Sequence, residues 1–268
     1  MLLRPKTIWV TAFLVVAVAL LAFAWTQRVT IKTLVQAQLN QQALPPAKDF
    51  AEITQKQPRT LPLGDEVPKL PAQNGVAQET TQINLAVPFA PQAPHANWDQ
   101  PYQDACEEAT IIMVERYLRG VPLSLDDMDA EILKMVSWQT EHYGFFKDSN
   151  TAETVRLAEA FYPHLTVSAH YEVTADDIVA ALAQGTPVVV LVDGRRLGNP
   201  HYVQPGPDKH ALIIKGLVDG QFITNDPGTR QGADFVYPID TVMQAMTDYD
   251  GQTAGTRTKS MILISTRS

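Results

Sequence analysis

The sequence predicts an α+β fold for a C-terminal domain, and three observations carry that prediction. Helix signatures cluster first, between residues 106 and 184. Apolar, β-branched runs dominate from 187 onward. Two of those runs flank Asp219-Gly220, a two-residue hairpin signal, so the sheet should be mostly antiparallel.

In chain order, the first element is an apolar run from Ile8 to Trp25, 18 residues interrupted only by Thr11. As a helix it is about 27 Å long, close to the roughly 30 Å core of a bilayer. Arg4 and Lys6 precede it, and Ala22-Phe23-Ala24 has a small-x-small cleavage pattern. Cleaved signals carry apolar regions of about 7–15 residues, shorter than this run, so residues 1–27 are expected to be a signal anchor. The chain is then single-pass in the cell membrane with its main domain outside, or secreted if the segment is cleaved. Residues 28–82 read as a stalk and Pro-rich linker. Ile31, Leu34, Val35 and Leu39 have helical spacing, while residues 45–71 hold six prolines. Phe50 is the only aromatic between Trp25 and Phe89, so this stretch is expected not to pack.

Residues 83–268 form the expected domain. Cys106 opens a helix with Ala109, Ile112, Met113 and Tyr117 on one face, ending at Gly120. Asn150 with Glu153 is a capping-box start for a helix over Thr151–Phe161, and Thr174 with Asp177 starts another to about Gln184. Strands follow at Pro187–Val192, His210–Val218, Gln221–Asn225 and Met261–Thr266. Asp126, Asp127 and Asp129 lack the fuller ligand series and glycine of a calcium loop and read as a solvated helix start.

Charge narrows the function classes. The 268 residues carry a net charge of -8, and with no acid in 1–26 the remainder is more acidic still. An acidic body argues against nucleic-acid binding. A single cysteine excludes internal disulfides and Cys-rich zinc sites, and the histidines show no metal-binding spacing, so no metal or other cofactor is expected.

That cysteine carries the chemistry. A lone Cys is by default a small buried hydrophobe. Cys106, however, begins a helix, where free N–H groups and the helix dipole favour a thiolate. His210 begins a strand, and Asp226 follows the return strand of the same hairpin. A nucleophile, base and orienter so placed follow the triad logic in its Cys–His form. The orienter stays open between Asp226 and Asn225. A two-residue turn carried down the hairpin puts Asn225 on the His210 face, and a loop one residue longer puts Asp226 there.

The segments Val87-Pro88-Phe89-Ala90-Pro91-Gln92-Ala93-Pro94, Asn97-Trp98 and Pro101-Tyr102-Gln103-Asp104-Ala105-Cys106-Glu107-Glu108-Ala109 resemble the N-terminal catalytic motif of bacterial C39-like cysteine peptidases. His210-Ala211-Leu212-Ile213-Ile214-Lys215-Gly216 is similar to that family's histidine strand, and Phe222-Ile223-Thr224-Asn225-Asp226-Pro227-Gly228 to its acidic motif. The resemblance spans about 86–268. It implies a papain-like fold with a helical lobe packed on a sheet lobe, Cys106 as nucleophile, His210 as base, Asp226 as orienter and Gln92 as oxyanion donor. Gln100, with the spacing found in papain, and Gln103 are the other candidates for that donor. Trp98 could line the cleft, though packing is the expected role. Where many relatives have Cys-Gly-Pro, this chain has Cys106-Glu107-Glu108, two carboxylates expected to serve the helix start or, if they lie near the sulfur, to raise the thiol pKa and leave the nucleophile less activated. The implied function is a membrane-tethered thiol hydrolase acting on a peptide or protein. The alternative is an inactive C39-like module that binds a protein or cell-wall ligand.

Overall fold

A seven-stranded sheet, antiparallel throughout, organises the domain. The computed structural model describes residues 44–54, 82–249 and 258–267. The strands are β1 (Ile83–Asn84), β2 (Leu165–Tyr171), β3 (Val188–Val192), β4 (His210–Val218), β5 (Gln221–Asn225), β6 (Phe235–Pro238) and β7 (Ser260–Thr266). Their order is β2-β7-β3-β4-β5-β6, with β1 added to β4. The Val-Val-Val-Leu-Val run of β3 is buried on both faces, as its place between β7 and β4 requires. Strand β2 lies at the sheet's end and starts by alternating: Leu165 and Val167 are buried, Thr166 and Ser168 exposed.

Seven helices are described: α1 (Phe50–Thr54), α2 (Cys106–Arg119), α3 (Leu125–Tyr143), α4 (Thr151–Phe161), α5 (Ala175–Ala183), α6 (Gly194–Leu197) and α7 (Ile239–Ala245). Helix α2 is buried almost all round, with Ile111, Ile112, Met113 and Val114 at 0% exposure, and packs against β4. It ends where Gly120 takes the left-handed conformation, φ 65°. Capping boxes at Ser124/Asp127, Asn150/Glu153 and Thr174/Asp177 start α3, α4 and α5. The acidic cluster after Leu125 is thus a helix start, and α3 runs on to Tyr143.

The expected α+β architecture holds. One expectation within the linker does not. Residues 44–54 pack on the domain instead of passing it by. Lys48 bridges Leu85, Asn84 Nδ2 donates to Pro45 O at 2.8 Å, and Phe50 meets Tyr117 edge-on. Of the apolar side chains of the stretch, Phe50 and Ile53 are used, Ile53 against Gly185. No helix among the described residues is long and apolar enough to cross a membrane. The expected anchor, 1–27, and linker residues 28–43 and 55–81 lie outside the described residues.

Candidate active site

The β4–β5 hairpin decides which side chains meet. It leaves the Asp219-Gly220 turn with Val218 opposite Gln221, the two-residue register. Between Gly216 and Ile214 the register shifts by one, because Lys215 is an extra residue in β4. Beyond this bulge Ile213 pairs with Asn225, so Asp226 shares the His210 face and Asn225 points to the other. Lys215 is buried and bonds Asn84 Oδ1 at 2.8 Å and Asp234 Oδ1 at 2.5 Å. Gly216 is required beside it, since a Cβ there would lie 2.3 Å from Ile83 O on β1. Asn225 has separate work: its amide donates to Val87 O at 3.0 Å and its Oδ1 accepts from Asp234 N–H.

His210 Nε2 lies 2.8 Å from Asp226 Oδ1, with both side chains buried. Gly228 N–H also donates to Oδ1, at 3.0 Å. The other carboxylate oxygen accepts from Tyr202 OH at 2.6 Å, Tyr237 OH at 2.9 Å and Asn199 Nδ2 at 3.1 Å. Burial pushes the Asp226 carboxyl up, but His210 and the tyrosine donors outweigh it and hold the group below its ordinary value. Burial, with the Asp226 charge, pushes both phenols well above their usual range, so they stay donors. Gly228 sits against the ring; a Cβ there would be 2.8 Å from His210 Cε1. At the other end of the residue, Tyr249 OH bonds the His210 backbone and lies 2.9 Å from Val192 O, closing the mouth of the β3–β4 ladder.

Cys106 is the first residue of α2 and is 6% exposed, in a buried cluster with Leu191, Ala211 and Tyr249, and the Ala211 backbone amide bonds its sulfur. The helix therefore delivers the thiol to the start of β4, next to His210 in sequence. Its Sγ donates to Glu107 Oε2 at 3.1 Å. No hydrogen bond joins Cys106 to His210 among the described residues. Burial, then the neighbouring Glu107, pushes the thiol well above its ordinary value, against which the Ala211 backbone amide pulls.

The expectation that Glu107 and Glu108 serve the helix start fails. The N-cap is Ala105, no side chain caps the helix, and both carboxyls are buried. An i, i+1 pair on a helix enclosed on nearly all sides has no solvent to reach. Burial raises Glu107 from 4.5 to about 8 and Glu108 to about 7, assisted in Glu107 by the Glu108 charge. Glu108 accepts from Gln139, while Glu107 Oε1 and Glu108 Oε2 have no partner.

Gln92 is buried on the segment leading to Cys106. Its Nε2 donates to Tyr102 O at 2.9 Å and Gln103 O at 3.1 Å, so both amide hydrogens hold the turn before the helix. Gln100 Nε2 reaches Asp104 Oδ2 at 2.7 Å and Gln103 Oε1 at 3.4 Å, on the exposed side. Trp98, expected to pack, is 42% exposed. No group of three or more His, Cys, Asp and Glu among the described residues could hold a metal.

The structure thus brings His210 to Asp226 and Cys106 to the start of the His210 strand. Sequence reasoning missed Tyr202, Tyr237, Asn199 and Tyr249, whose positions in loops and short elements give no periodic signal.

No curated protein matches the chain. Among solved structures it is similar to that of a C39-like peptidase candidate from Bacillus anthracis, at 15% identity and TM-score 0.46, over 70% of this chain and 99% of that one. The model of the Peptidase_C39 like family matches residues 84–254, well over half of the sequence, and the chain belongs to that family.

Proposed function

We propose that the chain is a membrane-tethered thiol hydrolase that cleaves peptide or related amide bonds with Cys106, His210 and Asp226. The observation that carries this reading is the His210–Asp226 pair, 2.8 Å apart and buried, on the strand whose next residue touches Cys106. Family membership supports peptidase chemistry.

With Nε2–H donated to Asp226, the imidazole keeps the Nδ1 lone pair for the thiol proton. The thiolate attacks the substrate carbonyl, and its electrons move to the carbonyl oxygen. The Cys106 N–H, at the start of a helix with no side-chain cap, is a suitable oxyanion donor. Gln92 joins it only if its amide leaves Tyr102 O and Gln103 O; as it stands it braces the turn that carries Cys106. The imidazolium then protonates the departing amine, and water attacks the acyl-enzyme with His210 as base. Residues 8–25 anchor the protein, with the domain outside the membrane and a peptide or protein as substrate.

The thiol's bond to Glu107 in place of His210 favours a second reading, an inactive C39-like module that binds a protein or cell-wall ligand. The two separate when the full-length protein in detergent is given a peptide library and a cell-wall digest, with Cys106→Ala as control. New termini seen by mass spectrometry only with the unmodified protein support hydrolysis. Identical product profiles, with a retained ligand, support the binding module.

A further inference from the structure

Glu107 is a buried carboxyl with one oxygen on the sulfur and the other on nothing. Beside it lies a second buried carboxyl, Glu108, and no Lys or Arg pairs with either among the described residues. Two unpaired charges side by side out of water are prohibitively costly, whereas two neutral acids are not. We propose that Glu107 is a catalytic residue that works as an un-ionised acid, its carboxyl proton hydrogen-bonding the Cys106 thiolate once His210 has taken the thiol proton. This rests on the hydrolase reading and deepens it.

The exchange needs no further reactant. The thiol proton moves to His210 Nδ1, the charge appears on sulfur, and Glu107 turns from acceptor to donor without losing its own proton. A neutral carboxylic acid in an apolar site is an effective donor to developing negative charge. Burial and the remaining neighbours outweigh the Cys106 S–H and Glu107's own backbone N–H, which favour the charged form, and keep the acid neutral. Cys106 and Glu108 share its helix, Asp148 approaches from the loop before α4, and Tyr249 faces it from beyond α7. Lys209 pairs with Asp148 at 3.2 Å and lies over the Tyr249 ring, and Lys147 pairs with Asp104 at 3.0 Å, so neither is committed to Glu107. Burial holds the Glu107 proton on until about pH 8.

Cys106 is the only cysteine, so iodoacetamide labelling of the full-length protein reports on it alone. Glu107→Gln keeps a donor that cannot ionise; Glu107→Met keeps the length and loses the donor. At pH 6.5 the Gln variant should alkylate within about threefold of the parent and the Met variant at least about tenfold more slowly, the factor for one pKa unit. A Met variant as fast as the parent, or faster, overturns the proposal, because Glu107 would then only suppress the thiolate. Should the Met variant not fold, the infrared difference between parent and Glu107→Gln at pH 7 decides. A protonated-carboxyl stretch in the parent supports the proposal, and a carboxylate band in its place overturns it. Failure of the hydrolase reading looks different: Cys106 would alkylate only above about pH 8.5, like a free thiol, and His210→Ala would not change its rate.

Discussion

The two halves of the site follow opposite rules of burial. On the sheet side, Asp226 is buried with five donors on its two oxygens, every one supplied by a neighbouring loop or strand. On the helix side, Glu107 and Glu108 are buried just as deeply and each leaves an oxygen without a partner. A fully satisfied buried charge fixes geometry; an unsatisfied one gives up its charge. The sheet half therefore holds an ionised carboxylate and a fixed imidazole, and the helix half holds protons. In the hydrolase proposed above, the sheet half would orient the imidazole and the helix half would set the charge on the thiol.

The largest expected effect breaks the sheet half. His210→Ala should lower turnover by about 10²–10⁴-fold, the usual contribution of general-base catalysis, with circular dichroism unchanged. Full activity in that variant would defeat the hydrolase reading. Asp226→Ala should cost less turnover, because an orienter does not itself carry the proton, but more stability. Four side-chain donors lose their acceptor, for a loss on the order of 3 kcal/mol in denaturant unfolding. Asn225→Ala leaves the imidazole's partner in place and should cost the least activity of the three; a loss exceeding that of Asp226→Ala would reverse the assignment.

A smaller perturbation moves the imidazole without removing it. Gly228→Ala sets a methyl 2.8 Å from His210 Cε1, inside contact distance, so ring or loop must shift. A fall in kcat of about tenfold with little change in KM is expected, since about 1 Å of misplacement is costly to a positioned catalyst. An unchanged kcat would mean the ring tolerates displacement.

The smallest effect separates the halves by pH. Glu108 binds its proton to about pH 7 in the fold against an ordinary 4.5, so the folded state holds more protons across that window. Stability should fall as pH rises through it, and Glu108→Gln should flatten the slope. Asp226 contributes with the opposite sign. Its carboxyl is held below the ordinary value, so its contribution is present above about pH 4 and lost as pH falls further. Equilibrium unfolding at pH 5 and pH 8 in both proteins checks this; equal slopes would place the Glu108 proton elsewhere.

Local chemistry made much of this legible in the sequence. Capping boxes at Asn150 and Thr174, the β-branched run of β3 and the Asp219-Gly220 turn are short-range signals, and each element formed where it was read. The order of Cys106, His210 and Asp226 gave the candidate site. What was not legible depends on contacts between distant segments. Turn length alone could not choose between Asn225 and Asp226, because the choice rests on a bulge stabilised by Asn84 and Asp234. The burial of Glu107 and Glu108 was hidden for the same reason: a helix start looks solvated until the elements that enclose it are known. Strand β2 was missed because its polar, partly exposed residues break the apolar run, and β1 and β6 because two and four residues are too short to show a period.

The bulge at Lys215 also makes the hairpin count like a parity check. Each residue added to or removed from one arm between His210 and the turn exchanges the sets of side chains that look inward and outward. A single insertion there would present an amide to the imidazole and turn the carboxylate away, leaving composition almost untouched. A pair of insertions would restore the original facing. Length variation along this hairpin is therefore constrained to even steps, or to the loop beyond Asp226, however freely the individual side chains vary.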